Sequence, residues 1–297
     1  MAGTFRDSWN LTKTAFRVIR EDKALLAFPA IAAAAYIAIL VMFLGGIFAL
    51  YVFQPLTGNL QLAVIAVLVI MMYVLLWFNG TYFTAALIGA AMLKLEGKQP
   101  TLADGLEIAA KHWKKLFVWA VISGIVGLAI QAISSRVRGL GGLILGIAAG
   151  ATWTIATYFI IPVLIFEDQR AWPSLKRSAS LYLNNFGRTF VSNLVLGLLV
   201  ALPLIGAVIL GIYGMFLLIS GSFFLGIALI AVAIVIFAFM LLLATAATGV
   251  LLAALYRFAT TGQLEANLVN PVHVQAYRGQ QPITRPLPSP APLPSSH

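Results

Sequence analysis

The chain has 297 residues, of which 61% are hydrophobic and only 9% are charged, and its formal net charge is +10. Soluble domains carry about 25% charged residues, so this composition excludes an ordinary soluble protein and predicts an integral membrane protein. The chain has no cysteine, which excludes disulfide bonds and thiol chemistry.

The charges are segregated along the chain. None occurs between Lys23 and Lys94 or between Arg188 and Arg257, and shorter charge-free runs follow Lys115 and Arg138. A helix needs roughly 20 apolar residues to cross the hydrocarbon, so the long runs hold two spans each and the short runs one. The predicted fold class is all-α, a polytopic transmembrane bundle with six spans at about 24–53, 60–93, 116–135, 140–166, 189–213 and 222–256. Glycine and serine residues punctuate the last run, so three shorter spans in 189–256 are the alternative.

Three amphipathic segments, 4–23, 101–114 and 174–187, each precede a pair of spans. The layout predicts three hairpins, each with an interfacial helix before it, as three copies of one unit. In the second segment Thr101 and Asp104 have the spacing of a capping box. For the first segment, an ordinary surface helix packed on the bundle is the alternative to a helix lying in the membrane interface.

The basic residues predict the orientation. All of the 19 Lys and Arg residues except Arg136 and Arg138 fall on one side of the six-span layout, and by the positive-inside rule that side is cytoplasmic. We therefore expect a multi-pass protein of the cytoplasmic (inner) membrane with both termini in the cytoplasm. Membrane lipids, mainly anionic, are the expected partners, and the candidate contacts to headgroups or to a protein partner are Arg6, Lys13, Arg17, Lys111, Lys114, Lys176 and Arg177.

The sequence divides into two parts. Residues 1–256 form the predicted transmembrane helical domain. Residues 257–297 are rich in proline, and we expect a disordered cytoplasmic tail because such a composition cannot build a core.

The sequence carries few groups suited to catalysis. No ionisable residue falls inside the six spans, and the three histidines lie outside them without metal-ligand spacing. No phosphate-binding or dinucleotide-binding glycine motif is present, and no nucleic-acid-binding motif. We therefore expect no catalytic residue, no metal, no cofactor and no nucleic-acid partner.

Two sets of residues inside the spans are candidates for contacts at membrane depth. Polar side chains either line a cavity for a neutral or lipid-like ligand or form hydrogen bonds between helices, and the candidates are Asn79, Thr152, Thr154 and Thr157. Small residues at four-residue spacing let helices approach closely, either within the bundle or at a self-association face, and the candidates are Gly142, Gly146, Gly150 and Gly249.

The end of the fourth span carries two acids, Glu167 and Asp168, which are poorly placed against a helix C-terminus. We expect Arg170, Lys176 and Arg177 to compensate them. Within the same span, Pro162 is expected to kink the helix.

Several motifs occur together in this order: Trp9-x-Leu11-x-Lys13 with Asp22-Lys23-x-Leu25-Leu26-x-Phe28-Pro29; Asn79 through Ala91 with Gly97-x-x-Pro100-Thr101-x-x-Asp104-Gly105-Leu106; Tyr158 through Leu164 with Glu167-Asp168; and Leu175-Lys176-Arg177-Ser178-Ala179 leading to Phe186-Gly187 and Asn193. With these motifs the chain resembles an uncharacterised family of bacterial and archaeal polytopic membrane proteins over roughly residues 5–255. The resemblance implies the six-span layout and implies no activity.

The sequence favours a non-enzymatic scaffold or assembly component of the membrane, with a second copy of the chain or another protein as the expected partner. The alternative is an uncoupled carrier or channel for a neutral or lipid-like substrate, which rests on the polar residues of the second and fourth spans.

Overall fold

The computed structural model describes residues 2–53, 59–137 and 139–261. These ranges are helical, with no strand among them, and their helices are α1 (Ala2–Glu21), a 3₁₀ turn (Lys23–Leu26), α2 (Ala27–Phe53), α3 (Asn59–Leu95), α4 (Leu102–Lys111), α5 (Trp113–Arg136), α6 (Leu140–Thr157), α7 (Ile160–Phe166), α8 (Ala171–Asn184), α9 (Phe186–Ile219) and α10 (Phe223–Thr261). The predicted tail therefore begins with residues that continue α10, and its part from 262 onward lies outside the described residues.

Within the described residues, six helical segments are long and apolar enough to cross a membrane, as the sequence predicted. They are Lys23–Val52, Asn59–Leu95, Trp113–Arg136, Leu140–Phe166, Phe186–Ile219 and Phe223–Thr261. Residues 189–256 form two long helices and not three, because the only interruption is a turn at 220–222 in which Gly221 has a φ of +89°. Consecutive apolar helices pack on each other in three pairs: α2 on α3, α5 on α6, and α9 on α10.

The first helix packs on the bundle, which both interpretations of this segment allow. Its contacts are with α9 and α10. The buried face consists of Leu11, Thr12, Thr14, Ala15, Val18 and Ile19, while Lys13 and Arg17 are exposed. After α1, Asp22 caps the 3₁₀ turn by accepting a hydrogen bond from the Ala24 N–H at 3.1 Å.

The two other amphipathic helices begin in different ways. The capping box before α4 is formed as predicted: the Thr101 N–H donates to the Asp104 carboxylate at 2.7 Å, and the Asp104 N–H donates to the Thr101 hydroxyl at 3.3 Å. The third helix, α8, begins at Ala171, before the predicted start at Ser174. Pro173 is thereby in the first turn, where its missing N–H costs nothing because first-turn N–H groups have no intrahelical partner.

The fourth membrane segment is broken and not merely kinked. α6 ends at Thr157 and α7 begins at Ile160, with Tyr158 and Phe159 between them. Pro162 explains the position, because it has no N–H to give to the Tyr158 carbonyl and its ring clashes there. The Phe159 N–H donates instead to the Ser178 hydroxyl of α8 at 3.0 Å, and Asn193 Nδ2 of α9 donates to the Tyr158 hydroxyl at 2.8 Å.

The core surrounds the C-terminal half of α3, where every residue from Ala85 to Met92 is buried. Over its whole length α3 contacts α2, α4, α5, α7 and α10. By contrast, large apolar side chains are exposed along the opposite halves of α2, α3, α9 and α10, as at Val41, Leu62, Leu202 and Ile234. The helices therefore pack tightly at one end and present apolar surface along the rest of their length.

Candidate functional site

The packed end of the bundle is also the charged end. Three contacts join helix ends there: the Lys94 ammonium lies 3.6 Å from the Asp22 carboxylate, Lys115 binds Asp168, and the Tyr256 hydroxyl donates to Glu167 at 3.1 Å. We call this the charged end and use the name for residues 9–23, 94–115, 167–188 and 256–257.

Three lysines at the charged end lie over tryptophan rings. The ammonium of Lys13 is 5.1 Å from the centre of the Trp9 ring, that of Lys114 is 5.8 Å from Trp113, and that of Lys176 is 5.9 Å from Trp172. These distances are within the range of cation–π attraction. Trp113 and Trp172 are 50% and 67% exposed, so these rings lie at the surface and not in the core. We call these the three Trp–Lys pairs.

The other predicted headgroup contacts have different environments. Lys111 pairs with Glu107 at 2.9 Å, and the Arg177 Nε donates to the Glu167 carboxylate at 3.2 Å. Arg17 is exposed. The side chain of Arg6 lies outside the described part of the chain. Of the seven predicted cations, two thus bind a neighbouring acid and three lie beside an indole ring.

Glu167 is the centre of a network that joins three elements. Its carboxylate accepts from Arg177 of α8, from Tyr256 of α10 and from Gln169 Nε2 at 3.2 Å. Its pairing with Arg177 follows the expectation from sequence, whereas neither Arg170 nor Lys176 is seen with it. Tyr256, which stacks on Phe166 with ring centres 5.9 Å apart, could not be chosen from sequence because it lies far along the chain.

Asp168 is bound by residues that sequence reasoning did not select. The Lys115 ammonium donates to it, and His112 Nε2 lies 3.5 Å from its carboxylate. Asp168 has a φ of +51°, the left-handed conformation that commonly follows a helix C-terminus. The hydrogen bond and charge of Lys115 hold the pKa of the Asp168 carboxyl below its usual value, and His112 contributes a smaller effect in the same direction.

Two further pKa shifts at this end have local causes. The Thr101 N–H and hydroxyl lower the pKa of the Asp104 carboxyl in the capping box. Burial raises the pKa of the Tyr182 hydroxyl in α8.

The four polar candidates at membrane depth all donate hydrogen bonds to backbone carbonyls. Asn79 is buried, and its Nδ2 donates to the Ala32 carbonyl of α2 at 3.1 Å, which is the interhelical bond weighed above. The hydroxyls of Thr152, Thr154 and Thr157 donate to carbonyls four residues earlier in α6, and Thr152 and Thr154 are exposed. The three threonines therefore satisfy their own hydroxyls within one helix, which neither sequence alternative described.

The four candidate glycines differ in what lies next to them: three face neighbouring atoms of the chain and one faces open space. A Cβ at Gly249 of α10 would overlap the Leu87 side chain of α3, and one at Gly142 would overlap the Ser134 and Val137 carbonyls at the turn into α6. Gly146 faces the Ser134 hydroxyl, whereas nothing lies within 4 Å of a Cβ at Gly150. Gly142, Gly146 and Gly249 thus serve packing inside the chain.

Two cavities flank α10 at the level where the helices begin to separate. The first, of about 320 Å³, lies between α2, α3 and α10 and includes Tyr36, Thr84 and Thr245 in its lining. The second, of about 270 Å³, lies between α9 and α10 and includes Asn193 and Thr248. No group of three or more potential metal-ligating His, Asp or Glu side chains occurs within residues 2–53, 59–137 and 139–261.

In the described ranges the secondary structure is helical and includes six long apolar segments, which is compatible with the class of multi-pass membrane proteins. A model of a family of unknown function, DUF6159, matches residues 60–266. The chain belongs to this family. No curated protein and no solved structure matches the chain significantly.

Proposed function

We propose that this protein is a non-enzymatic scaffold or assembly component of the cytoplasmic membrane, with both termini in the cytoplasm. Its charged end would lie at the inner leaflet and bind anionic lipid headgroups. The observation that supports the proposal is the set of three Trp–Lys pairs, one on α1, one at the α4–α5 junction and one on α8.

The chemistry of these pairs suits a phospholipid surface. Indole rings are favoured at headgroup level, where the ring is apolar and its N–H remains near water. A lysine close to an anionic membrane surface contributes about 1 kcal/mol of attraction. Lys13, Lys114 and Lys176 are suited to this role, because Lys111 and Arg177 already face acidic partners. The three amphipathic helices would thus attach the bundle to the leaflet at separate points.

The headgroup contact is tested on the full chain in nanodiscs that mix phosphatidylglycerol and phosphatidylcholine. Native mass spectrometry then counts the lipids retained. We expect wild type to prefer phosphatidylglycerol, and the variant K13Q/K114Q/K176Q to lose that preference by about a hundredfold, given roughly 1 kcal/mol for each of the three lysines and a factor of ten for every 1.4 kcal/mol. The control K98Q/K111Q/R136Q removes the same charge elsewhere and should retain it. If both variants lost the preference for phosphatidylglycerol equally, net charge alone would explain it, which would contradict the proposed contact.

The scaffold role predicts an assembly. The same spectra should contain a defined homo-oligomer or a stoichiometric protein partner after mild extraction from the native membrane. A protein that is monomeric and without a partner in both preparations would contradict this part of the proposal.

An uncoupled carrier or channel for a neutral or lipid-like substrate is the second candidate. One observation favours it, namely the two cavities on either side of α10. Lipid flip in proteoliposomes separates the two roles: reproducible flip above that of protein-free vesicles rejects a purely structural function, and its absence counts against the carrier.

A further inference from the structure

The cavity between α2, α3 and α10 has walls fixed by specific contacts. Asn79 ties α3 to the Ala32 carbonyl of α2 at one side. At the other side α10 approaches α3 so closely that the Leu87 side chain lies over Gly249. These contacts hold three helices at a set distance, so the space between them is part of the fold.

The lining carries no charge. Tyr36, Thr84 and Thr245 supply its only polar side-chain atoms, and the rest of the lining is aliphatic, aromatic or glycine. The Thr245 hydroxyl already donates to the Leu241 carbonyl at 2.8 Å. The Tyr36 hydroxyl lies against Gly80, where an added Cβ would be 2.5 Å from it. Such a lining suits a neutral, apolar ligand and offers no counter-ion to a charged one.

The size and position of the cavity select among apolar ligands. Its volume of about 320 Å³ is roughly twice that of an engineered apolar cavity that binds benzene. The space therefore fits part of a chain and not a whole lipid. The cavity is partly open, its lining includes the exposed side chain of Leu241, and all three helices are among the six candidate membrane segments. In a bilayer the medium at that opening consists of acyl chains and excludes water.

We infer that this cavity is a binding site for one acyl chain of a membrane phospholipid, which enters sideways from the bilayer between α2 and α10. The inference does not rest on the proposed scaffold role, because it needs neither an assembly nor the three Trp–Lys pairs. A bound chain would complete the packing that α2, α3 and α10 leave open.

The experiment uses the full chain in nanodiscs that contain phosphatidylglycerol with a diazirine in one acyl chain. After illumination, mass spectrometry maps the labelled residues. We expect adducts at Thr84 and Thr245 in wild type. In A33W, whose indole fills the cavity from α2, these adducts should fall by about tenfold, because the space and its apolar contacts are occupied. In A34W the same indole is placed on an exposed neighbour outside the lining, and labelling should be unchanged.

A second variant guards against misfolding. T245F fills the cavity from α10 and should reduce labelling at Thr84 in the same way, while adducts at the exposed Leu202 should remain as in wild type in all variants. The inference is overturned if wild type shows no adduct at Thr84 or Thr245, if labelling survives in both A33W and T245F, or if A34W reduces it equally.

Discussion

The ammonium group of Lys115 donates twice to Asp168, to its backbone carbonyl at 2.6 Å and to its carboxylate at 2.5 Å. Lys115 lies in the first turn of α5, and Asp168 follows the last residues of α7. The lysine therefore ties the start of one membrane segment to the end of the next. It does so at a residue with positive φ, which is uncommon outside glycine and needs support from its surroundings.

Replacing Lys115 by methionine should lower the melting temperature in detergent, because both hydrogen bonds to Asp168 are lost while the aliphatic stem is kept. The pKa of Asp168 is lowered in the folded protein, so the carboxylate part of this stabilisation is present above the unfolded-state pKa of about 3.9 and disappears as the pH falls through the folded value. The difference in melting temperature between wild type and K115M should therefore be larger at neutral pH than in acid. K114M is the control at the neighbouring exposed lysine, and an equal loss in K114M would assign the effect to general charge.

Replacing Ser178 by alanine should destabilise the break between α6 and α7. The Phe159 N–H would lose its acceptor in a fully buried site, at a cost of about 1–3 kcal/mol in the free energy of unfolding. Unfolding by sodium dodecyl sulfate in mixed micelles measures this. S180A, at an exposed position of the same helix, should change the free energy little. If S178A is as stable as S180A, the hydroxyl does not support the break.

Replacing Gly249 by alanine should strain the contact between α10 and α3. The new methyl group would overlap the Leu87 side chain, and overpacking of this kind costs about 1–3 kcal/mol. G150A adds the same methyl group in open space and should lie within about 0.5 kcal/mol of wild type. The same unfolding assay compares the two. If G249A and G150A were equally stable, α10 and α3 could move apart at Gly249 without a loss in the free energy of unfolding.

The bond between Tyr256 and Glu167 should appear as an energetic coupling. Y256F removes the donor, and E167Q removes the charge of the acceptor and weakens the bond, so the double variant should lose less stability than the two single losses together, with a coupling of about 0.5–3 kcal/mol. The exposed Tyr213 provides the matched control. Y213F and E167Q should be additive, and additivity in the Tyr256 cycle as well would show that the network is not coupled.

Local features were predictable from sequence because local physics determines them. Long charge-free runs are sufficient to predict six apolar helices, and the three-residue spacing of Thr101 and Asp104 is sufficient to predict a capping box. The Arg177–Glu167 pair was also within reach, because both residues are close along the chain.

The contacts between distant elements could not be predicted in this way. In a membrane segment the faces toward lipid and toward protein are both apolar, so hydrophobicity does not distinguish Ala85–Met92 as the core, and its small residues indicate close packing without naming the helix they face. The presence of threonine at 152 and 154 also did not show whether these positions face a cavity or lipid. A hydroxyl that donates to a carbonyl of its own helix is compatible with a lipid-exposed position. The partners of Asp168 and Tyr256 depend on how helices far apart in sequence meet.

The central position of α3 has a consequence for biosynthesis. Apart from α2, the helices that pack on α3 are made later, and the last of these is α10, whose residues Ala246–Ala253 are buried except for Thr248. The nascent chain must therefore keep α3 in the membrane with its final neighbours missing until α10 has been made. A chain truncated before α10 would leave Leu87 without the surface around Gly249 that covers it. Quality-control proteases should recognise such a chain as unfinished.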